Sequence, residues 1–360
     1  MSRIFASAPG RICLFGDHQD YLNLPIIACA IDRMMQLEAV ENGSDFFELI
    51  LPDLNQSIAL PIAADLSTIE TGNYFKTALK VLRKRGIVPT KGYQLTISSD
   101  IPVNAGLSSS SALTIVWISF LVSAFGKGKK LSPTELALLA YETEVIEQQS
   151  SGGKMDQFSI SLGNSIYLDT KTDHVISFEH VDLKLIVGVS GLQKDTFGTL
   201  AHLKTNAIES IGKVAEKIPN FDIAQVKENQ IQEVTDLVDQ SLKPYLYAAI
   251  KNHLITKAAK REFEKKRLDH KVIGQLMNEH HHVLKTQLKI TPALMDRMID
   301  NANEAGALGS KIVGSGGGGC IVAIAAEDNE QKIIDQIKAA GAKAAFCVNI
   351  STGATSNKTL

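Results

Sequence analysis

Pro102-Val103-Asn104-Ala105-Gly106-Leu107-Ser108-Ser109-Ser110-Ser111-Ala112 is the stretch on which the reading of this chain turns. A polar, β-leaning run, Tyr93 to Ser99, leads into it, and an apolar run, Ala112 to Phe125, leaves it. The pattern predicts a small-residue loop that feeds the start of a helix. The first turn of a helix carries N–H groups with no internal partner, and the helix dipole adds positive potential there. Gly106 lets the backbone approach a ligand closely and the serines add hydroxyls, which suits a polyphosphate. A serine-rich helix cap would look the same in isolation.

Upstream, residues 3–60 alternate short β-like runs with turn signals. The candidate strands are Arg3 to Ser7, Ile12 to Phe15, Ile26 to Ile31, Gln36 to Val40 and Phe46 to Leu51. Between the second and third lies Gly16-Asp17-His18-Gln19-Asp20-Tyr21-Leu22-Asn23-Leu24-Pro25. It reads as a solvated hairpin loop or, because carboxylates accept from vicinal hydroxyls, as a grip for a polyhydroxylated ligand. Residues 72–86 predict a helix that Gly86 ends.

Downstream, Ser132-Pro133-Thr134-Glu135 has the form of a capping box with proline at the first helical position, and the helix should run to about Gln149. Glu144 shares a face with Ala137, Ala140, Tyr141 and Gln148, where a bare charge is costly. A metal partner would explain it, and so would a salt bridge at the edge of the stripe. Ser151-Gly152-Gly153-Lys154-Met155-Asp156 is a tight glycine turn that delivers Asp156 to the next apolar run, as a functional carboxylate or as a turn cap. Strands are predicted at Asn164 to Leu168, Val175 to Phe178 and Leu183 to Val189, with a domain boundary near 180–190.

From about 195 to 300 the chain is mostly helical and richer in charge. His280-His281-His282 falls on a helix, where neighbours point about 100° apart and chelate one ion poorly. Thr291-Pro292 starts a further helix and Gly306 ends it. Lys311 to Ile324 contains a formal G-x-G-x-x-G from Gly314 to Gly319. A dinucleotide fingerprint would open a helix. Here the continuous apolar run Cys320 to Ala326 follows, which predicts a glycine loop between two strands. The polar tail Thr352 to Leu360 reads as frayed.

The length of 360 residues predicts roughly two domains. A net charge of −2 gives no electrostatic footprint for nucleic acid or an anionic membrane. Cys13, Cys29, Cys320 and Cys347 lie in apolar stretches without zinc spacing and read as buried thiols. With no apolar signal segment at the start and no run long enough to span a bilayer, a cytoplasmic enzyme is expected.

Three glycine-bearing segments, in this order, resemble the GHMP kinases over nearly the whole chain. Ala8-Pro9-Gly10-Arg11 through Tyr21 is similar to the first family motif in its galactokinase form. Pro102 to Ala112 resembles the second, the phosphate-binding loop, and Lys311 to Cys320 resembles the third in its mevalonate kinase form. Asn73-Tyr74 and Gly274 to Glu279 also look galactokinase-like. The resemblance implies a two-domain α+β fold, with a ribosomal S5 domain 2-like half over 1–185 and a ferredoxin-like half over 186–360.

It also implies roles. Asn104, Ala105, Gly106, Leu107, Ser108, Ser109 and Ser110 would hold the ATP phosphates. Ser110 and Glu144 would ligate Mg²⁺, whose usual shell is octahedral oxygen. Asp156 would accept the proton of the acceptor hydroxyl, and Arg11 would face it and stabilise the transferring phosphoryl group. Asp17, His18, Asp20 and Tyr21 match sugar-contacting positions. Gly314, Ser315, Gly316, Gly317 and Gly318 form the third loop. The implied activity is transfer of the ATP γ-phosphoryl group to a sugar hydroxyl, expected to be the anomeric one. The expected partners are a small sugar and ATP, with no nucleic acid and no membrane, on a monomer or homodimer.

The chain also departs from the galactokinase pattern. It has Asp17 where galactokinases have glutamate, and Leu22-Asn23-Leu24 where they have Asn-Gly-Gly. A heptose, a uronic acid or mevalonate therefore stands as an alternative acceptor, and a catalytically silent sugar sensor as an alternative function.

Overall fold

The computed structural model describes residues 3–193, 196–326 and 328–359, with the backbone alone at 196–197. β1 (Arg3–Phe15) and β2 (Ile26–Glu41) form a long antiparallel hairpin around loop 16–25. The four strands expected here are therefore two. A register shift at Pro9/Gly10 lets β1 continue through Ala8-Pro9-Gly10, which in sequence looks like a turn. β3 (Phe46–Leu51) pairs with β4 (Gln56–Pro61), a strand not expected because only Leu60 of it is buried. α1 (Tyr74–Arg83) precedes β5 (Tyr93–Ser99), which joins β3 in parallel and β2 antiparallel. α2 (Ser109–Phe125), α3 (Pro133–Tyr141) and α4 (Met155–Leu162) follow, then the hairpin of β6 (Ser165–Asp169) and β7 (His174–Phe178).

β8 (Leu185–Val189) opens a second sheet. After it come α5 (Thr196–Ala215), α6 (Ile231–Thr235), α7 (Lys243–Phe263), α8 (His270–Val283) and α9 (Ala293–Glu304). β9 (Gly309–Ile312), β10 (Cys320–Ile324), α10 (Glu330–Ala339) and β11 (Ala344–Val348) complete the second unit. Among the described residues its sheet is antiparallel in the order β11-β8-β10-β9. The glycine run thus joins two antiparallel strands, as its apolar flank predicted.

The tail is a correction. Residues Thr355–Thr359 form β12, which pairs antiparallel with β1 from Ser7↔Thr355 to Arg3↔Thr359. Every one of its side chains is exposed, so composition gave no signal; edge pairing uses backbone groups alone. Leu360 lies outside the described residues. Cys347 is a second correction: it is exposed on the edge strand β11, whereas Cys13, Cys29 and Cys320 are buried.

α2 sits against β1, β2, α3 and α4 and is buried nearly all round, as its unbroken apolar run requires. Phe47 and Tyr93 meet Trp117, Phe120 and Phe125 of α2 edge-on, and Trp117 stacks on Phe120. This core fixes the N-terminal end of α2, and with it the serine loop. A second core joins Ile186, Ile321 and Ala323 of the second sheet to Met295, Met298, Ile333 and Ile337 of α9 and α10. His280 is buried and stacked on Phe15, which ties α8 to β1. Among the described residues no helix is long and apolar enough to cross a membrane.

Candidate active site

Asp156 lies in the first turn of α4. Its Oδ1 accepts from Arg11 Nε at 2.7 Å, and its Oδ2 accepts from the Ser108 hydroxyl. Arg11 is buried on β1, and its Nη1 donates to the Gly106 carbonyl at 2.6 Å. The Arg11 backbone N–H donates to the Leu107 carbonyl at 3.1 Å. One arginine therefore binds the first strand, the serine loop and the carboxylate into one unit. Ser108 holds a left-handed backbone (φ 61), an uncommon state for a residue with a Cβ. That conformation turns its hydroxyl to Asp156. The expected phosphate loop also contains Asn104 (φ 56) and Gly106 (φ 80), with Ala105 and Leu107 packed inward. Ser109 and Ser110 begin α2, and Ser110 is exposed.

Glu144 is buried in a π-helical turn, Glu142–Ile146, which continues α3. The Glu147 N–H reaches the Glu142 carbonyl there, and the wider turn swings Glu144 inward. Ser111 Oγ and Gln157 Nε2 both donate to Glu144 Oε2, at 2.7 and 2.6 Å. Oε1 is buried with no partner. Burial pushes the carboxyl up to about 7, against the pull of bonds from Thr114, Ser111 and Gln157. A buried, orphaned carboxylate oxygen fits a cation, and the neighbouring helix start would hold the phosphates that share it. The hydroxyl that donates to Glu144 is that of Ser111, while Ser110, expected as the other Mg²⁺ ligand, is exposed at the start of α2.

The four expected acceptor residues divide. Asp20 is partly buried; its Oδ1 accepts from the Tyr21 N–H, and its Oδ2 lies 3.5 Å from the Met155 N–H. Burial, then the nearby Asp156 charge, raise it to about 6. A Cβ at Gly153 would fall 2.2 Å from the Asp20 carboxyl, so any side chain there displaces Asp20. His18 Nδ1 meets the Tyr21 hydroxyl at 3.1 Å. Asp17 goes elsewhere: it is 1% exposed and pairs with Lys311 at 2.6 Å.

The glycine loop is anchored by backbone. Gly314 N–H donates to Asp17 Oδ1 at 2.8 Å, Gly317 N–H to the Ile290 carbonyl, and the Gly319 carbonyl accepts from Ser190. Gly316 stands against Ile290, and Gly318 approaches the Leu192 and Gln193 carbonyls at 3.0 Å from a built Cβ, so neither tolerates a side chain. Ser315 is partly buried. Sequence reasoning missed Ser111, Gln157, Lys311 and Lys204. Lys204 of α5 lies over the Tyr21 ring and donates to the Ser151 carbonyl. Nothing in the sequence of α5 singles it out. A cavity of about 620 Å³ opens away from these groups, between Leu22–Pro25 and α7, and contains none of them.

Residues 73–164 match the GHMP kinases N-terminal domain, residues 257–343 the GHMP kinases C-terminal domain, and residues 1–37 the galactokinase galactose-binding signature. A mevalonate kinase of Thermococcus sibiricus is 29% identical, with 94% of each chain covered. A galactokinase of Thermococcus kodakarensis is 27% identical, with 88% of each covered. The structure of Lactococcus lactis galactokinase complexed with galactose superposes with a TM-score of 0.86 at 24% identity, covering 98% of this chain and 95% of that one. With the three matched segments spanning more than half of its length, the chain belongs to the GHMP kinases, phosphotransferases that act on a hydroxyl acceptor.

Proposed function

We propose that the chain transfers the γ-phosphoryl group of ATP to the anomeric hydroxyl of a sugar, with galactose the first candidate. The observation that carries this is the Asp156 carboxylate, held by Arg11 and by Ser108 of the phosphate loop. Phosphoryl transfer needs positioning and charge stabilisation more than covalent chemistry. In this reading Asp156 takes or orients the acceptor proton, and the fixed charge of Arg11 stabilises the transferring group. The amides of Gly106 to Ser110 hold the phosphates at the start of α2. Glu144 and the Ser110 hydroxyl would hold Mg²⁺, which would supply charge neutralisation between the phosphates.

A sugar is favoured over mevalonate by charge. Mevalonate carries a carboxylate, and Asp20 beside Asp156 would repel it, whereas both accept from hydroxyls. The names of the mevalonate kinase relatives keep mevalonate as the second reading. The expected division at 185/186 is moved to just before β8, with the tail strand β12 returned to the first sheet; action in the cytoplasm and a monomer or homodimer complete the proposal. A panel of hexoses, pentoses, heptoses, uronic acids and mevalonate, assayed with ATP and Mg²⁺, tests it. Turnover of a neutral sugar is expected. Turnover of mevalonate alone would overturn the sugar reading, and binding of sugar and ATP without turnover would support a silent sensor instead.

A further inference from the structure

We propose that Asp17 does not grip the acceptor but, with Lys311, positions the glycine loop against the first motif. The inference rests on the proposed kinase function and takes this loop, the third of the glycine-bearing segments that carry the kinase resemblance, as part of the nucleotide site.

Lys311 is fully buried at the end of β9. An ammonium has three N–H donors. All three are spent: on Asp17 Oδ2 at 2.6 Å, on the Ile312 carbonyl at 2.6 Å and on the Cys13 carbonyl at 3.2 Å. The second oxygen of Asp17 is spent on the Gly314 N–H. Both carboxylate oxygens thus face the second sheet. Burial alone would raise the Asp17 pKa; Lys311, helped by His280 and His18, outweighs it and holds the group at about 2.

The loop needs such an anchor. Gly314, Gly316, Gly317, Gly318 and Gly319 all have positive φ, and glycine has the most backbone freedom to lose. No side chain of theirs can fix the loop, so bonds from outside must. Asp17 supplies the one at Gly314, and it comes from the acceptor loop that also carries Asp20. The pair therefore joins the acceptor loop to the glycine loop across the two units.

The test is Asp17→Asn, with Asp17→Asn/Lys311→Met beside it. The single variant leaves Lys311 uncompensated and can lose stability for that reason alone; the double variant removes both charges. In both we expect the KM for ATP to rise about tenfold, the size of one lost charged hydrogen bond, and the KM for the acceptor to stay within about twofold. Calorimetry with a non-hydrolysable ATP analogue should show the same loss without any turnover. A rise in the acceptor KM with that for ATP unchanged would return Asp17 to the acceptor. Unchanged or equally raised values for both would also overturn the proposal. If the wild-type protein turns over no acceptor, the kinase reading fails, and the analogue titration still decides the role of Asp17.

Discussion

The Ser108 hydroxyl donates to Asp156 across 48 positions of chain, so the serine loop touches the carboxylate directly as well as through Arg11. Replacing Ser108 with alanine should lower kcat about tenfold, since it removes a charged hydrogen bond that orients Asp156. Ser108→Gly loses the same bond but relieves the left-handed backbone. It should melt above the alanine variant by roughly 1 kcal/mol of stability. Steady-state kinetics and thermal melts of both variants check this; equal melting would mean that φ 61 carries no strain. Asp156→Ala should cost about 10²–10⁴ in kcat.

Glu144 gives a pH signature. Its folded pKa, about 7, lies above the ordinary glutamate value of 4.5, so the native state holds a proton that the unfolded chain has released. Without metal, stability should be full below 4.5 and fall as pH rises from there to about 7. A cation at Oε1 reverses the penalty, because it favours the ionised form. Mg²⁺ should therefore raise the melting temperature more at pH 8 than at pH 6. Glu144→Gln should remove that difference, and its persistence in the variant would take Glu144 out of the metal shell.

Gly153 tests the acceptor side. Alanine there sets a methyl 2.2 Å from the Asp20 carboxyl, and the flexible partner must move. We expect acceptor KM to rise by about tenfold or more, with ATP KM unchanged and about 1–3 kcal/mol lost in stability. Initial rates with each substrate varied in turn measure the split.

The core under the serine loop should matter to the whole first unit. Trp117 is 1% exposed and its Nε1 donates to the Phe75 carbonyl at 3.1 Å. Trp117→Ala should cost roughly 3–5 kcal/mol in a urea titration. A loss under about 1 kcal/mol would mean that the aromatic cluster repacks.

What could be read from the sequence was local punctuation. Ser132 and Glu135 form their capping box, Gly86 follows α1, and the apolar run after Gly319 is a strand. These signals depend on neighbours in the chain. The bond between Arg11 and Gly106 does not, and only the resemblance put Arg11 near Asp156. The π-turn carries Glu144 inward, which no apolar period shows, and its bonds to Ser111 and Gln157 come from other elements. The partner of Lys311 could not be read either, because nothing local reveals that Asp17 reaches it across 294 positions.

β12 has a consequence for synthesis. Until residues 355–359 leave the ribosome, the outer edge of β1 has no partner, although the rest of the hairpin and α2 are already made. Ser7 waits 348 positions for Thr355. Until residues 355–359 are made, the strand that carries Arg11 presents an unpaired edge, open to pairing with other nascent chains. That edge is closed only after every strand of the second sheet has been made, and the exposed, polar character of β12 lets the late strand stay hydrated until it docks.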